Sequence, residues 1–280
     1  MTKYTVLYNP KGNNNSAEAE TKTLSDIQKG DELNYVDVTK IADLESFLSD
    51  DQSDAIILSG GDGTLNHFIN DVDCDHLTKD LYFFGTGTGN DFLSSINAQK
   101  GKIHKINNVV KNLPTVTVKG KTYKFINGIG YGIDGYCCEV GDQLREKSDK
   151  PINYTGIAIK GLLFHYKPTN AKVTVDGVTK RYKKVWLSPT MYGRFYGGGM
   201  IPTPEQKRGE GYVSNMTYYG VGKIKALIVF PKIFEGKHVS YTKMIDVRKG
   251  KEVKVEFDRP VALQIDGETV LGVTEYTVKA

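Results

Sequence analysis

Residues 54–70 read DAIILSGGDGTLNHFIN, and the fold is decided by how this stretch is read. The run Ala55-Ile56-Ile57-Leu58 is apolar on both alternating faces, as a buried parallel strand must be. Gly60, Gly61, Asp62, Gly63 and Thr64 then interrupt it. After them Leu65, Phe68, Ile69 and Val72 recur at helical spacing. Strand, glycine turn, amphipathic helix is the arrangement in which backbone amides and a helix N-terminus meet an anion, because glycine has no Cβ to hold a phosphate away. Asp62 sits awkwardly there. A carboxylate beside phosphates is repelled unless a divalent cation or a hydrogen-bond donor compensates it. The plainer alternative is a tight turn over Ser59–Asp62 in which Asp62 caps the following helix.

Outward from this stretch the pattern repeats. Tyr4–Tyr8, Tyr35–Val38 and Leu81–Phe84 are further strand-like runs, and Ile41, Leu44, Phe47 and Leu48 mark another helix. Such alternation predicts a parallel sheet with helices on its faces through about residue 115. Beyond that point short Val-, Thr- and Tyr-rich runs alternate, as in TVTVKG (115–120), AKVTVDGVTKRY (171–182) and KEVKVEFDRPVALQIDGETV (251–270). Asp-Gly pairs punctuate them, as tight hairpins require, so the second part is an antiparallel β domain. One helical segment, Tyr154–Tyr166, interrupts it before Pro168.

The 280 residues suffice for two domains with substantial cores. A net charge of +4, with clusters only at KRYKK (180–184) and RKGK (248–251), makes a poor case for nucleic acid. Anionic headgroups suit such a surface equally well, although solvated strand ends explain it most simply. The three cysteines, Cys74, Cys137 and Cys138, suggest no disulfide framework and point to a reducing cytoplasm. No apolar stretch approaches the ~18 residues of a membrane span.

A second glycine cluster, GTGTGNDF (85–92), again follows a strand and precedes a helical run, with Asn90 or Asp91 able to cap it. As a dinucleotide fingerprint it fails, since Asn90 stands where the third glycine belongs and no acidic residue follows about 20 positions later. A Walker A loop fails too: Gly120-Lys121-Thr122 has Thr115 in place of the leading glycine. HExxH, GxSxG and paired CxxC motifs are absent from the sequence.

In order along the chain, YNPKGNNN (8–15), SGGDGTLN (59–66), GTGNDF (87–92), NGIGYGIDG (127–135), YGRFYGGGMIPTP (192–204) and QIDGE (264–268) resemble the diacylglycerol kinase catalytic-domain superfamily. The bacterial soluble lipid kinases are the nearest match. The resemblance implies an α/β NAD-kinase-like nucleotide domain over 1–118 and a β-sandwich lipid domain over 119–270. It also implies a last strand, about 271–280, returning to the first domain, and a site in the interdomain cleft. It implies ATP and Mg²⁺ as cofactors. The partner it implies is a lipid acceptor at the inner membrane surface, reached peripherally from the cytoplasm; a homodimer is left open.

Carried over by motif, the ATP-contacting set is Asn9, Pro10, Lys11, Gly12, Asn13, Thr39, Gly60, Gly61, Asp62, Gly63, Thr64, Leu65, Asn66 and Thr88. Thr39, in VDVTKIADL, is equally a natural helix N-cap. Glu268 matches the position of the general base, and its local alternative is an exposed residue beside an Asp266-Gly267 turn. Asp62 would organise Mg²⁺ through water; in the sphingosine kinases, which the chain resembles distantly, the corresponding aspartate is argued to be the base. Asp134 is either a turn residue or one facing substrate hydroxyls. Tyr131, Tyr136, Phe195 and Tyr196 are either acyl-channel or core aromatics.

The chain departs from the family at KRGEGYVSN (207–215), where Arg208 and Gly209 stand in place of the carboxylates of a structural metal site. IKALIVFPKIF (224–234) mixes cations with bulky apolar groups, as a bilayer contact or a buried edge would. Two other functions share this pattern. An NAD kinase has the GGDGT turn, but its Thr-Pro-Thr-Gly-Ser stretch is missing here, and a non-catalytic nucleotide or lipid sensor needs neither Asp62 nor Glu268.

Overall fold

The computed structural model describes residues 1–10, 12, 16–86, 90–147 and 152–280, which divide into two compact units, Met1–Leu113 and Pro114–Ala280. Lys11, Asn13 and Thr88 of the expected nucleotide set lie outside the described residues.

In the first unit the strands are β1 (Lys3–Tyr8), β2 (Glu32–Asp37), β3 (Ala55–Gly60), β4 (Asp80–Gly85) and β5 (Ile103–Lys105). The helices between them are α1 (Ala17–Lys22), α2 (Leu24–Ile27), α3 (Leu44–Asp50), α4 (Asp62–Asp71) and α5 (Asp91–Ser95). The described strands form one sheet in the order β2-β1-β3-β4-β5, parallel except for β5. All of β3 is buried, as its unbroken apolar run requires. Ala55 and Ile57 join Tyr4, Val6, Leu24 and Phe84 in one core cluster. Ile56 and Leu58 alternate to the other face of the sheet.

α3 begins later than its apolar pattern suggests. The Asp43 carboxylate accepts the Ser46 amide at 3.0 Å and caps the helix, so Ile41 precedes it and only Leu48 is buried on it.

The second unit contains β6 (Thr115–Val118), β7 (Lys121–Lys124), β8 (Gly128–Tyr131), α6 (Ile133–Arg145) and α7 (Tyr154–Lys160). There follow β9 (Thr169–Val175), β10 (Val178–Val185), β11 (Thr190–Met191), β12 (Val213–Tyr218) and α8 (Lys223–Val229). The chain ends in β13 (Ile245–Gly250), β14 (Glu252–Ile265) and β15 (Glu268–Lys279). These described strands make one ten-stranded sheet whose pairings are all antiparallel. A Trp186, Leu187, Met191, Met216 and Tyr218 core lies under α8 and the turns after it.

The last strand does not return to the first unit. β15 pairs with β14 from Ile265↔Glu268 to Glu252↔Lys279 and with β6 on its other edge. The hairpin itself dictates this: Asp266 (φ 47°) and Gly267 (φ 100°) are both left-handed, as a tight two-residue turn needs, and such a turn lays its second strand against its first.

Asp266 does more than turn the chain. Its carboxylate accepts the amides of Ile126 (2.6 Å), Asn127 (2.8 Å) and Gly128 (2.9 Å), fixing the start of β8 to the hairpin. Asp266→Ala leaves three buried or half-buried N–H groups without that acceptor and is expected to destabilise the second unit by about 3–5 kcal/mol. The check is a fall in the unfolding midpoint in urea, with Asp266→Asn, which keeps one acceptor oxygen, falling less.

Candidate active site

In a parallel sheet of order β2-β1-β3-β4 the chain leaves β1 in one direction for β2 and lies on the other side for β3. Ligands of such sheets bind in the crevice at that switch, outside the carboxyl ends of the strands. The carried-over motifs converge there. Asn9 follows β1, Thr39 lies in the short helical turn after β2, Gly60 ends β3 and Thr86 follows β4. A cavity of about 490 Å³ opens at the switch, lined among others by Asn9, Val38, Thr39, Asp43, Thr64 and His67.

The glycines divide into two kinds. A Cβ on Gly60 would stand 2.4 Å from Thr64 Cβ, and one on Gly85 would stand 2.4 Å from Leu93 Cδ1. Both residues let a helix start hard against a strand end, and the two are paired in the sheet, with the Thr86 amide donating to the Gly60 carbonyl at 2.9 Å. Gly61 is different. Its backbone is extended (φ −98°, ψ −170°), a conformation any residue adopts, and among the described residues a Cβ there would meet Thr86 O at an ordinary 3.8 Å.

Asp62 is the first residue of α4, yet it does not cap that helix; Gly61 stands at the cap position with no side chain to bond. The carboxylate reaches 29 and 30 residues onward, accepting the Asp91 amide at 2.9 Å and the Phe92 amide at 3.2 Å. It therefore ties the first glycine turn to the start of α5, beyond the second. This corrects the local capping alternative: the donors that compensate the charge belong to a different helix. A carboxylate fixed in this way on a rigid turn is the hard-oxygen donor that Mg²⁺ takes, so the residues present fit that ion.

The remaining set is uneven. The Asn9 carbonyl accepts the Gly12 amide at 3.0 Å, closing a turn that contains Pro10. Thr39 is not a helix N-cap. Its amide and hydroxyl both donate to Asp37 Oδ1, at 3.0 and 2.7 Å, and that hydroxyl holds the Asp37 carboxyl below the usual carboxylate range. Gly63 and Thr64 occupy the first turn of α4. Leu65 is wholly buried with its amide donated to the Gly61 carbonyl, so the structure gives it a packing role. Asn66 is buried too, its carbonyl accepting from Asn70. Reasoning from motifs missed His67 and Asp71, which line the cavity with Thr64. The signal was present: the three stand at i, i+3 and i+7, one face of α4.

In the second unit, Glu268 is exposed at the head of β15, directly after the hairpin. Its neighbour Thr269 donates its hydroxyl to Asp142 of α6 at 2.6 Å. Asp134, in the first turn of α6, is buried and takes the Tyr196 hydroxyl on Oδ2. Burial pushes its carboxyl up to about 7 even though the Tyr196 bond opposes the shift. The unfolded carboxyl titrates near ~3.9, so the folded state binds this proton more tightly. The resulting stabilisation is complete below about pH 4 and is lost as pH rises through about 7. Asp134→Asn is expected to remove this fall in stability across pH 4–7, read as melting temperature against pH.

Of the aromatics weighed as channel or core, Tyr131 is buried, stacked on Phe257 at 3.8 Å and bonded to Val273 O at 2.6 Å. Tyr131 and Tyr196 belong to the core; Tyr136 and Phe195 are half-buried. The Cys137 and Cys138 thiols are both raised by burial, the latter to about 12, which removes thiolate chemistry from this face.

At 207–215 the Arg208 guanidinium donates to the Ile126 carbonyl and to Asn127 Oδ1 at 2.7 Å, and it lies over the Tyr192 ring. Glu210 accepts the Tyr212 hydroxyl. With a fixed cation among these acceptors, the segment does not fit a structural metal. No group of three or more potential metal-ligating side chains occurs among the described residues.

Residues 3–120 match the diacylglycerol kinase catalytic domain family, and residues 127–279 match the family described as the YegS C-terminal NAD kinase beta sandwich-like domain. The chain is 23% identical over 212 residues to a Mycobacterium tuberculosis protein named "Diacylglycerol kinase", spanning 73% of this chain and 67% of that one. It is 26% identical over 223 residues to a Staphylococcus aureus protein named "Putative lipid kinase", spanning 78% and 72%. Its fold matches a Bacillus anthracis crystal structure titled "putative diacylglycerol kinase", with a TM-score of 0.67 at 19% identity over 99% of this chain and 91% of that one. With its α/β domain of NAD-kinase-like fold and its β-sandwich domain, the chain belongs to the diacylglycerol kinase-like family of lipid kinases.

Proposed function

We propose that the protein is an ATP-dependent lipid kinase, transferring the γ-phosphate to a hydroxyl of diacylglycerol or a related lipid at the cytoplasmic membrane surface. The observation that carries this reading is the Asp62 carboxylate, held on two α5 amides at the strand-end crevice. A passive phosphate cradle has no need of an acid there, while phosphoryl transfer does.

The first unit holds the nucleotide. Asn9, Thr39, Thr64, His67 and Asp71 line a cavity suited to base and ribose, and the Gly60–Thr64 turn with the α4 N-terminus takes the phosphates. Mg²⁺, held by Asp62 through water, would supply charge neutralisation on the phosphate oxygens.

Glu268 attends the acceptor. The lipid hydroxyl oxygen forms a bond to the γ-phosphorus, the bond from that phosphorus to the β–γ bridging oxygen breaks, and ADP leaves. The hydroxyl proton passes to the Glu268 carboxylate. Donors fixed before the reaction, the turn amides above all, stabilise the spreading charge without reorganising. Lipid-dependent ADP release tests the reading: release from ATP and Mg²⁺ on adding diacylglycerol supports it, and release only on adding NAD overturns it.

A further inference from the structure

Arg208 follows a residue that is itself firmly held. The Gln206 side chain, 1% exposed, donates to the carbonyls of Tyr192, Lys207 and Tyr212 at 3.3, 3.1 and 3.2 Å and accepts the Ser214 hydroxyl at 2.6 Å. Two residues on, the guanidinium donates to the Ile126 carbonyl and, at 2.7 Å, to Asn127 Oδ1. Asn127 is buried, and its own carbonyl accepts the amides of Tyr192 and Gly193 at 3.0 and 2.8 Å. A Cβ on Gly193 would stand 2.5 Å from Arg208 Nη2, so that glycine leaves the room which the guanidinium fills.

The same peptide group meets an anion at its other end. Ile126 O, held by Arg208, and Asn127 N, which donates to Asp266 Oδ1 at 2.8 Å, are the carbonyl and the N–H of one peptide unit. A cation on the oxygen and a carboxylate on the hydrogen polarise that unit in the same sense, so each bond strengthens the other. Loss of Arg208 therefore weakens the grip of Asp266 as well. Asp266 opens the turn that delivers Glu268: its amide donates to Gly128 O at 3.0 Å, Gly267 N donates to Gln264 Oε1 at 2.7 Å, and Ile265 pairs with Glu268 across it. One peptide and one tight turn separate the guanidinium from the residue placed at the acceptor.

We propose that Arg208 is a positioning residue for phosphoryl transfer: its guanidinium, through the Ile126–Asn127 peptide and Asp266, fixes where the Glu268 carboxylate stands. This role rests on the lipid-kinase reading with Glu268 as base, but the lock itself is measurable without catalysis. Arg208→Met keeps an unbranched stem and removes the donors. It is expected to lower the rate of diacylglycerol phosphorylation at saturating substrate about tenfold or more, with the KM for ATP within about twofold. In the Glu268→Gln background, where no base is left to position, the same substitution is expected to cost less than about twofold. Gly193→Ala, which crowds the guanidinium and keeps its charge, is expected to act in the same direction and by less. Amide hydrogen exchange at 126–128 and 266–268 is expected to quicken in Arg208→Met, with every rate read well below each variant's melting temperature.

Wild-type turnover by Arg208→Met overturns the proposal, and so does unchanged exchange at those amides. An equal loss in both backgrounds overturns it too, because a residue that only holds the unit together lowers both rates alike. Faster exchange at those amides, with no acceptor phosphorylated by any of these proteins, would support the lock and sink the kinase reading instead.

Discussion

Glu268→Gln is expected to lower phosphoryl transfer by about 10²–10⁴-fold, the range of a lost general base, while nucleotide affinity stays within about twofold. The substitution preserves size and removes basicity. Glu268 is exposed at the head of β15. The hairpin that carries it is fixed by Asp266 on the amides of Ile126, Asn127 and Gly128. Turnover, ATP titration and melting temperature measured on one preparation separate the cases: a wild-type rate removes Glu268 as base, and a large fall in melting temperature makes its role structural.

Asp62→Asn is expected to reduce turnover by about 10²–10³-fold, on the scale of losing one preorganised electrostatic group. Here a structural effect accompanies the chemical one. An asparagine offers one acceptor oxygen where the carboxylate serves both Asp91 N and Phe92 N, and its NH₂ would face the second amide donor. The α5 start therefore loosens, costing about 0.5–2 kcal/mol as a lost cap does. The two contributions part under different conditions. A stabilising excess of ATP restores the fold by mass action and leaves the chemical defect in place. Wild-type turnover by folded Asp62→Asn would reduce Asp62 to a capping residue and remove the main support for phosphoryl transfer at this turn.

The sequence made local features legible and left distant ones hidden. The apolar run 55–58, the glycine turn and the 3.6-residue spacing after it specify β3 and α4 within a residue or two, because buried parallel strands and amphipathic helices impose different periods. Both Asp-Gly hairpins were readable: Asp176-Gly177 and Asp266-Gly267 adopt the left-handed pairs that such turns need.

α6 was missed because Gly135 and Gly141 dilute its pattern. Gly135 is there for packing: a Cβ would stand 1.8 Å from Ala262 O of β14, so the helix lies directly on the strand backbone. The partners of Asp62 lie about 30 positions away, out of reach of any capping rule. Thr39 looked like a helix cap because Asp43, four residues on, competes for the same role and holds it.

The central claim is that the phosphate bound at the Gly60–Thr64 turn is moved to a lipid. Incubating the protein with γ-labelled ATP, Mg²⁺ and mixed micelles of diacylglycerol, with monoacylglycerol, phosphatidylglycerol, sphingosine, undecaprenol and soluble NAD in parallel, tests this most directly. Label in the phosphorylated form of diacylglycerol or a related lipid, and its loss in Glu268→Gln, is the predicted result. Label appearing only in NADP, or in no acceptor while ATP binds, would contradict it.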